Sequence, residues 1–547
     1  MSTRILLALA GALLIVRLPS LVQPMGPDQG LYAYVGERIR HGELAYRDAW
    51  DQKPPGIHYV YAALRTVTSR DVAVPAADLA AAAGVALLLW AIGSRLCGPL
   101  AGGLSALLFL LLSDPGLARY GGFRVRAQAE TFIALAVAGA VALATSSRRP
   151  ASRFPLRVLG AGLLLGVAFS LKYNAGLFAV VVLAALAVGA DEPGYIGGAR
   201  FWRETLVVAL GAAIVPVVLL ILFWRGGALD DLYQATIVYN VQYAGETYAS
   251  RWDIIRYAFV GPIRHAQADP LWFAGGAGCV YMLFVSVRAL LQRRLVTGWI
   301  PVLWVGVACV SIAVNGSRDL PQYFLQAAPA LGLAAGMAAA VALPKLPAAA
   351  RWVVVLVLAG ATWRVGADPF PKLAANIWHD TQYAIGRIDR RTHLAKYGSR
   401  DVDKYSALDN RDIGDFLASH TKADETVFVF GYSSGAYVYS DRRSASRFFW
   451  SRPVIVGFNA GNPAYGVNGV RSDLERGAPA YVVLQERDWP DTQNSAPFFH
   501  AQSPLDDWLR ANYHRVDPFI DGFEGWERNG PSTPAGASRQ PSLGAGR

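Results

Sequence analysis

The chain has 547 residues, 53% of them hydrophobic and 17% charged, with a formal net charge of +11. So little charge over such a length excludes an ordinary soluble globular protein and points to a chain that lives in a membrane. The basic residues collect in short loops beside apolar runs, which argues against nucleic acid as a partner and makes membrane lipids the surroundings.

A helix needs roughly 17–25 apolar residues to cross the hydrocarbon core. Such stretches fall near 4–22, 74–94, 98–113, 127–145, 157–171, 175–190, 205–224, 271–290, 299–314, 323–343 and 351–366, about eleven in all. The first could pass for a signal peptide, but Arg17 interrupts its apolar core and no small-residue cleavage site follows, so it reads as a retained helix. Lys172-Tyr173-Asn174 divides one long apolar region into two short spans. With the N-terminus cytoplasmic, the arginine-rich loops at 148–157, 200–203 and 288–294 all lie inside, as does Lys345. The expected location is the cell inner (plasma) membrane, crossed many times, with the polar C-terminal part extracytoplasmic.

The expected fold class is therefore mainly α: a polytopic transmembrane helical bundle over 1–366, with a first extracytoplasmic loop at 23–70. A small extracytoplasmic (periplasmic) α/β domain is expected over 367–528, and a disordered tail rich in Gly, Pro and Ser over 529–547. Within that domain, 426–430 and 481–484 read as buried strands and 409–418 as a helix.

Cys97, Cys279 and Cys309 lie in or beside apolar segments without Cys-x-x-Cys spacing and read as buried structural thiols. His41, His58 and His265 are isolated and read as surface or interface residues. No metal and no other cofactor is indicated.

The 23–70 loop carries the most polar chemistry. Asp28 can cap a helix on which Leu31, Val35 and Ile39 recur, and Pro54 opens another with Ile57, Tyr61 and Leu64 along one side. Lys53, Lys172 and Lys345 are the only lysines before residue 370. Lys53 is placed either to serve a lipid-linked anionic substrate or to sit at the interface as an ordinary ammonium. Lys172 has the same two readings. Arg17 either holds a phosphate or pairs with a loop carboxylate. Glu130 is either functional or a carboxylate favoured by a helix N-terminus.

Arg17, then Pro27-Asp28-Gln29-x-x-Tyr32, then Asp51-Gln52-Lys53-Pro54-Pro55, resembles the GT-C fold membrane glycosyltransferases, specifically the protein-mannosyltransferase and aminoarabinose-transferase superfamily (glycosyltransferase family 39-like). The resemblance continues at Arg126-Ala127-Gln128-Ala129-Glu130, Leu171-Lys172 and Gln322-Tyr323-Phe324-Leu325-Gln326. It implies transfer of a sugar from a polyprenyl-phosphate donor to an envelope glycan, lipid or protein acceptor, with inversion at the anomeric carbon. Asp28 takes the role of general base, and Lys53, Arg17, Tyr32, Arg126, Glu130, Lys172, Arg318 and Tyr323 those of substrate-binding residues. Gln29 stands where the family has a second carboxylate, and Gln322 where it often has a histidine, so the two departures weaken a metal-dependent mechanism. A lipid-linked sugar flippase or transporter and a non-catalytic membrane scaffold are the alternatives. The absence of repeated halves and the gathering of charge in outer loops favour catalysis over transport.

Overall fold

Backbone surrounded by hydrocarbon must satisfy its own N–H and C=O groups, so each long apolar run is expected to close on itself as a helix. A computed structural model describes residues 3–117, 122–146, 154–190, 194–245, 248, 250–315, 320–398, 405–489 and 493–530. They divide into two compact units, one ending at Gly398 and one beginning at Ser399.

Among the described residues of the first unit, eight helices are long and apolar enough to cross a membrane: Thr3–Val22, Ala73–Cys97, Phe154–Leu171, Tyr173–Ala190, Ala199–Arg225, Pro270–Leu291, Pro321–Lys345 and Ala348–Val365. Three shorter apolar helices, Pro99–Leu112, Ala129–Ala144 and Trp299–Val314, match the remaining runs read from the sequence. Local chemistry sets the breaks between them. Gly98, at φ +90°, ends one helix and Pro99 opens the next, because glycine alone takes that backbone freely and proline is preorganised for a first turn. Lys172 is extended, at φ −154° and ψ 132°, and separates the two spans flanking it.

The Phe154–Leu171 and Ala199–Arg225 helices pack without room for side chains between them. A Cβ on Gly162 would meet the Val208 carbonyl, one on Gly166 the Ala212 carbonyl, and one on Gly211 the Leu159 carbonyl. Small residues at such contacts let helix backbones approach closely in lipid. Residues 367–398 also belong to this unit: Asp380 of the Pro369–Ala384 helix accepts from Gln23 at 2.7 Å, and His393 Nε2 lies 2.9 Å from the Val22 carbonyl oxygen.

The second unit is built on a five-stranded mixed sheet with strands β1 (Thr426–Phe430), β2 (Arg443–Ser444), β3 (Tyr481–Gln485), β4 (Tyr513–Val516) and β5 (Phe523–Arg528), in spatial order β2-β1-β3-β5-β4. β1 pairs in parallel with β2 and β3, and the last three strands are antiparallel. β1 and β3 read as unbroken apolar runs because both faces are covered. The helix placed at 409–418 is Ala407–His420: Ser406 accepts from the Asp409 amide at 3.2 Å, starting the helix two residues earlier. The tail from 531 onward lies outside the described residues.

Cys97, Cys279 and Cys309 are free thiols and half-buried rather than fully enclosed.

Candidate active site

Asp28 belongs to the Pro27–Arg40 helix but does not cap it. Pro27 occupies the first position and Gly26 the cap, so Asp28 sits one residue further in, half-buried in the first turn. A carboxylate there is favoured by the positive end of the helix. One turn on, the Tyr32 hydroxyl donates to Gln128 Oε1 at 3.1 Å, and its ring stands edge-on to Tyr61 with centroids 5.4 Å apart.

Gln29 is fully buried and faces away from this chemistry. Its Nε2 donates to the Phe123 and Arg126 carbonyls, both at 2.9 Å. An ionised carboxylate could make neither bond, so the position that resembles a family carboxylate here ties the helix start to the 122–126 turn.

The second loop segment brings Lys53 to the same place. Trp50 and Asp51 are completely buried, and Lys53 is half-buried. Burial pulls the Lys53 ammonium down, but the carboxylates of Asp28, Asp51 and Glu130 outweigh it and hold Lys53 above its ordinary value. Asp51 behaves oppositely: burial, with the like charge of Asp28 adding to it, overcomes Lys53 and pushes its carboxyl up to about 7. His58, expected at a surface, is instead completely buried, and burial pushes it down to about 3. The reason is geometric. The Gly56–Val67 helix turns its Ile57, His58 and Tyr61 face inward, so the ring lies between Tyr32 and Tyr46 at centroid distances of 5.9 and 6.0 Å. His265 is also mostly buried, stacked on Phe324 at 3.8 Å, whereas His41 is exposed.

Glu130 opens the Ala129–Ala144 helix and is buried against Lys172, with which it forms an ion pair. The Lys172 ammonium also lies 4.0 Å from the centroid of the Tyr323 ring. Burial, against the pull of Glu130, lowers Lys172 to about 8. Asp28, Tyr32, Lys53, Glu130, Lys172 and Tyr323 thus form one cluster of interacting groups drawn from five separate segments.

Arg17 and Arg126 lie in a different cluster. Arg126 pairs with Asp78 and Asp114, each at 3.1 Å, and its Nε donates to Gln23 Oε1 at 2.6 Å. A π-helical stretch, Leu13–Arg17, turns Arg17 inward, where it donates to Ser113 Oγ at 2.7 Å and to the Leu110 carbonyl at 3.3 Å. Burial would raise the Asp114 carboxyl, but Arg126 and Arg17 hold it below its ordinary value. Arg318 lies outside the described residues. Sequence reasoning passed over Asp78 and Asp114, which sit in apolar surroundings without a motif. It also passed over Asp51, whose place two residues before Lys53 was the available signal.

An apolar cavity of about 380 Å³ is walled by Phe169, Tyr173, Leu219, Leu232 and Tyr233. Its lining includes Pro55 too, so it touches the immediate sequence neighbourhood of both Lys53 and Lys172. Among the described residues, no group of three or more His, Cys, Asp or Glu side chains is arranged to hold a metal ion.

No family model matches the sequence, and no curated protein does. Solved structures do. ArnT from Cupriavidus metallidurans bound to undecaprenyl phosphate superimposes with a TM-score of 0.58 at 16% identity, covering 97% of this chain and 99% of that one. The chain has the GT-C fold. Apo ArnT from the same organism gives 0.53 at 16% identity over 97% and 99% of the two chains. The Archaeoglobus fulgidus oligosaccharyltransferase gives 0.48 at 15% identity over 96% and 74%. Among the described residues the chain carries both long apolar helices and a small five-stranded C-terminal sheet, consistent with that fold.

Proposed function

We propose that this protein is an integral-membrane glycosyltransferase that transfers a sugar from a polyprenyl-phosphate donor to an envelope lipid, polysaccharide or protein acceptor. The observation that carries the reading is the juxtaposition of an Asp28–Lys53–Lys172 cluster with an apolar cavity of about 380 Å³. An anionic headgroup on a long hydrocarbon tail needs both. The likeness to a fold solved with undecaprenyl phosphate supports the same donor class.

In this reading Asp28 takes the proton of the acceptor hydroxyl as its oxygen attacks the anomeric carbon. The new C–O bond forms as the bond to the donor phosphate breaks, with inversion, and the departing phosphate keeps the electron pair. Lys53, held cationic by three carboxylates, steadies that charge in a site shielded from water. Lys172, paired with Glu130, is a second cation in the same cluster, and Tyr32 stands beside Asp28 on the same helix. The site faces the extracytoplasmic side of the inner membrane, with the N-terminus cytoplasmic and the second unit outside.

The test is transfer from a radiolabelled polyprenyl-phosphate sugar by full-length protein in lipid vesicles. Asp28→Asn is expected to lose roughly two to four orders of magnitude in turnover, the range for a positioned base, with donor binding retained. Full activity in that variant removes Asp28 as base. Vectorial movement of the lipid without transfer replaces the enzyme by a flippase.

A further inference from the structure

Lys53 is gripped by its backbone as well as balanced by charge. The Tyr46 hydroxyl donates to the Lys53 carbonyl at 2.8 Å, and Tyr46 is completely buried. On the other side, Asp51 Oδ1 accepts from the Gln52 amide at 2.8 Å, and the Lys53 amide faces the same carboxylate. The Gln52 carbonyl accepts from Asn240 at 2.7 Å, so the Asp51–Lys53 turn is also tied to the Tyr239–Gly245 helix. Pro54 and Pro55 follow and fix the chain's exit.

Behind this turn, Asp51 Oδ2 lies 3.4 Å from His58 Nε2. Both side chains are completely enclosed. A buried carboxyl and imidazole at that separation are compensated when they share one proton, which closes a hydrogen bond and leaves the pair neutral overall or singly charged. The groups facing the pair are Asp28 and Tyr32 from the Pro27–Arg40 helix, Tyr46 and Lys53 from the loop, and Glu130 from the Ala129–Ala144 helix. Of these, the Lys53 backbone also reaches the His58 ring, so the imidazole is tied to the turn directly as well as through Asp51. The pair backs the turn, and neither of its residues lines the apolar cavity.

We propose that Asp51, buttressed by His58 and Tyr46, is a positioning element for Lys53: it holds the ammonium where the donor phosphate binds and acts on that phosphate only through Lys53. The inference rests on the proposed lipid-phosphate donor.

The experiment measures binding of undecaprenyl phosphate to full-length protein in detergent, with thermal unfolding recorded for every variant. Asp51→Ala is expected to weaken binding about tenfold, and Lys53→Ala by a similar factor. Because the first acts through the second, the double variant should be no weaker than Lys53→Ala alone, a coupling of about 1.4 kcal/mol. Asp51→Asn keeps an oxygen for the Gln52 and Lys53 amides and should recover most of the affinity. Tyr46→Phe, which deletes one hydroxyl without changing volume, should weaken binding in the same direction and carries the test if Asp51→Ala does not fold. Additive losses, or unchanged binding in both Asp51→Ala and Tyr46→Phe, overturn the positioning role while leaving the lipid-phosphate reading intact. Failure of the wild-type protein to bind the lipid removes both.

Discussion

Lys172 points its ammonium at the face of Tyr323, 4.0 Å from the ring centroid, while paired with Glu130. A cation held between a carboxylate and an aromatic face stays charged in a place where burial alone would neutralise it. The two partners therefore decide over what pH range the site carries its second positive charge.

Because Lys172 is lowered to about 8, it is charged below that value and loses its charge as pH rises through it. Asp51, raised to about 7, gains negative charge over the range just below. Above about pH 7, where the phosphate monoester is already doubly ionised, both changes oppose it, so affinity for undecaprenyl phosphate should fall between about pH 7 and about pH 9. Lys172→Arg, which stays protonated, should abolish the upper part of that fall. Tyr323→Leu should move it to lower pH by removing an interaction worth roughly 0.5–2 kcal/mol. Binding titrations across the range check each shift.

Gln29→Glu restores an acidic residue beside Asp28 yet should not improve activity. The new carboxylate would face two carbonyl oxygens in a buried site, costing about 1–3 kcal/mol for the lost pairing. The unfolding temperature should drop, and drop further as pH rises and the group ionises. Thermal unfolding at two pH values measures this.

Arg126 holds two buried carboxylates, Asp78 and Asp114. Arg126→Met should cost about 3–5 kcal/mol by leaving them unpaired, and the triple variant with Asp78→Asn and Asp114→Asn should regain much of that. Loss of donor affinity in a fully stable Arg126→Lys protein would instead place this side chain on the substrate.

In the second unit His500 stands between Asp506 at 2.5 Å and Glu524 at 2.9 Å. The bond to Glu524, more than offsetting burial, raises its imidazole above the ordinary value of 6.5. A raised folded-state value means the contribution is complete below 6.5 and disappears as pH climbs through the folded value. Amide exchange in β4 and β5 of the full-length protein should speed up over that interval, and His500→Gln should flatten the dependence.

The membrane helices were legible because hydrocarbon imposes a single solution on long apolar runs. The break at Lys172 was legible too, since a lone polar triplet inside such a run has nowhere else to go. β1 and β3 were visible for the same reason on a smaller scale: both faces are buried, so the apolar run is continuous. The start of the Pro27–Arg40 helix was misjudged by two residues because Pro27 takes the first position, which makes Gly26 the cap and moves Asp28 inward. His58 was misplaced because one amphipathic stripe does not say how deeply its helix is enclosed. Asp78 and Asp114 gave no signal at all: they are single carboxylates outside any motif, and their meaning appears only when Arg126 folds between them.

Gly162 and Gly166 carry no reactive group, yet they set the spacing of two helices that flank the site. The helix that carries them ends next to Lys172, and the helix they touch supplies Leu219 to the cavity wall. A single added methyl at either position would pry the two rods apart. The width of the apolar cavity and the position of the Lys172 ammonium are thereby set together, by two residues that have no side chain to offer.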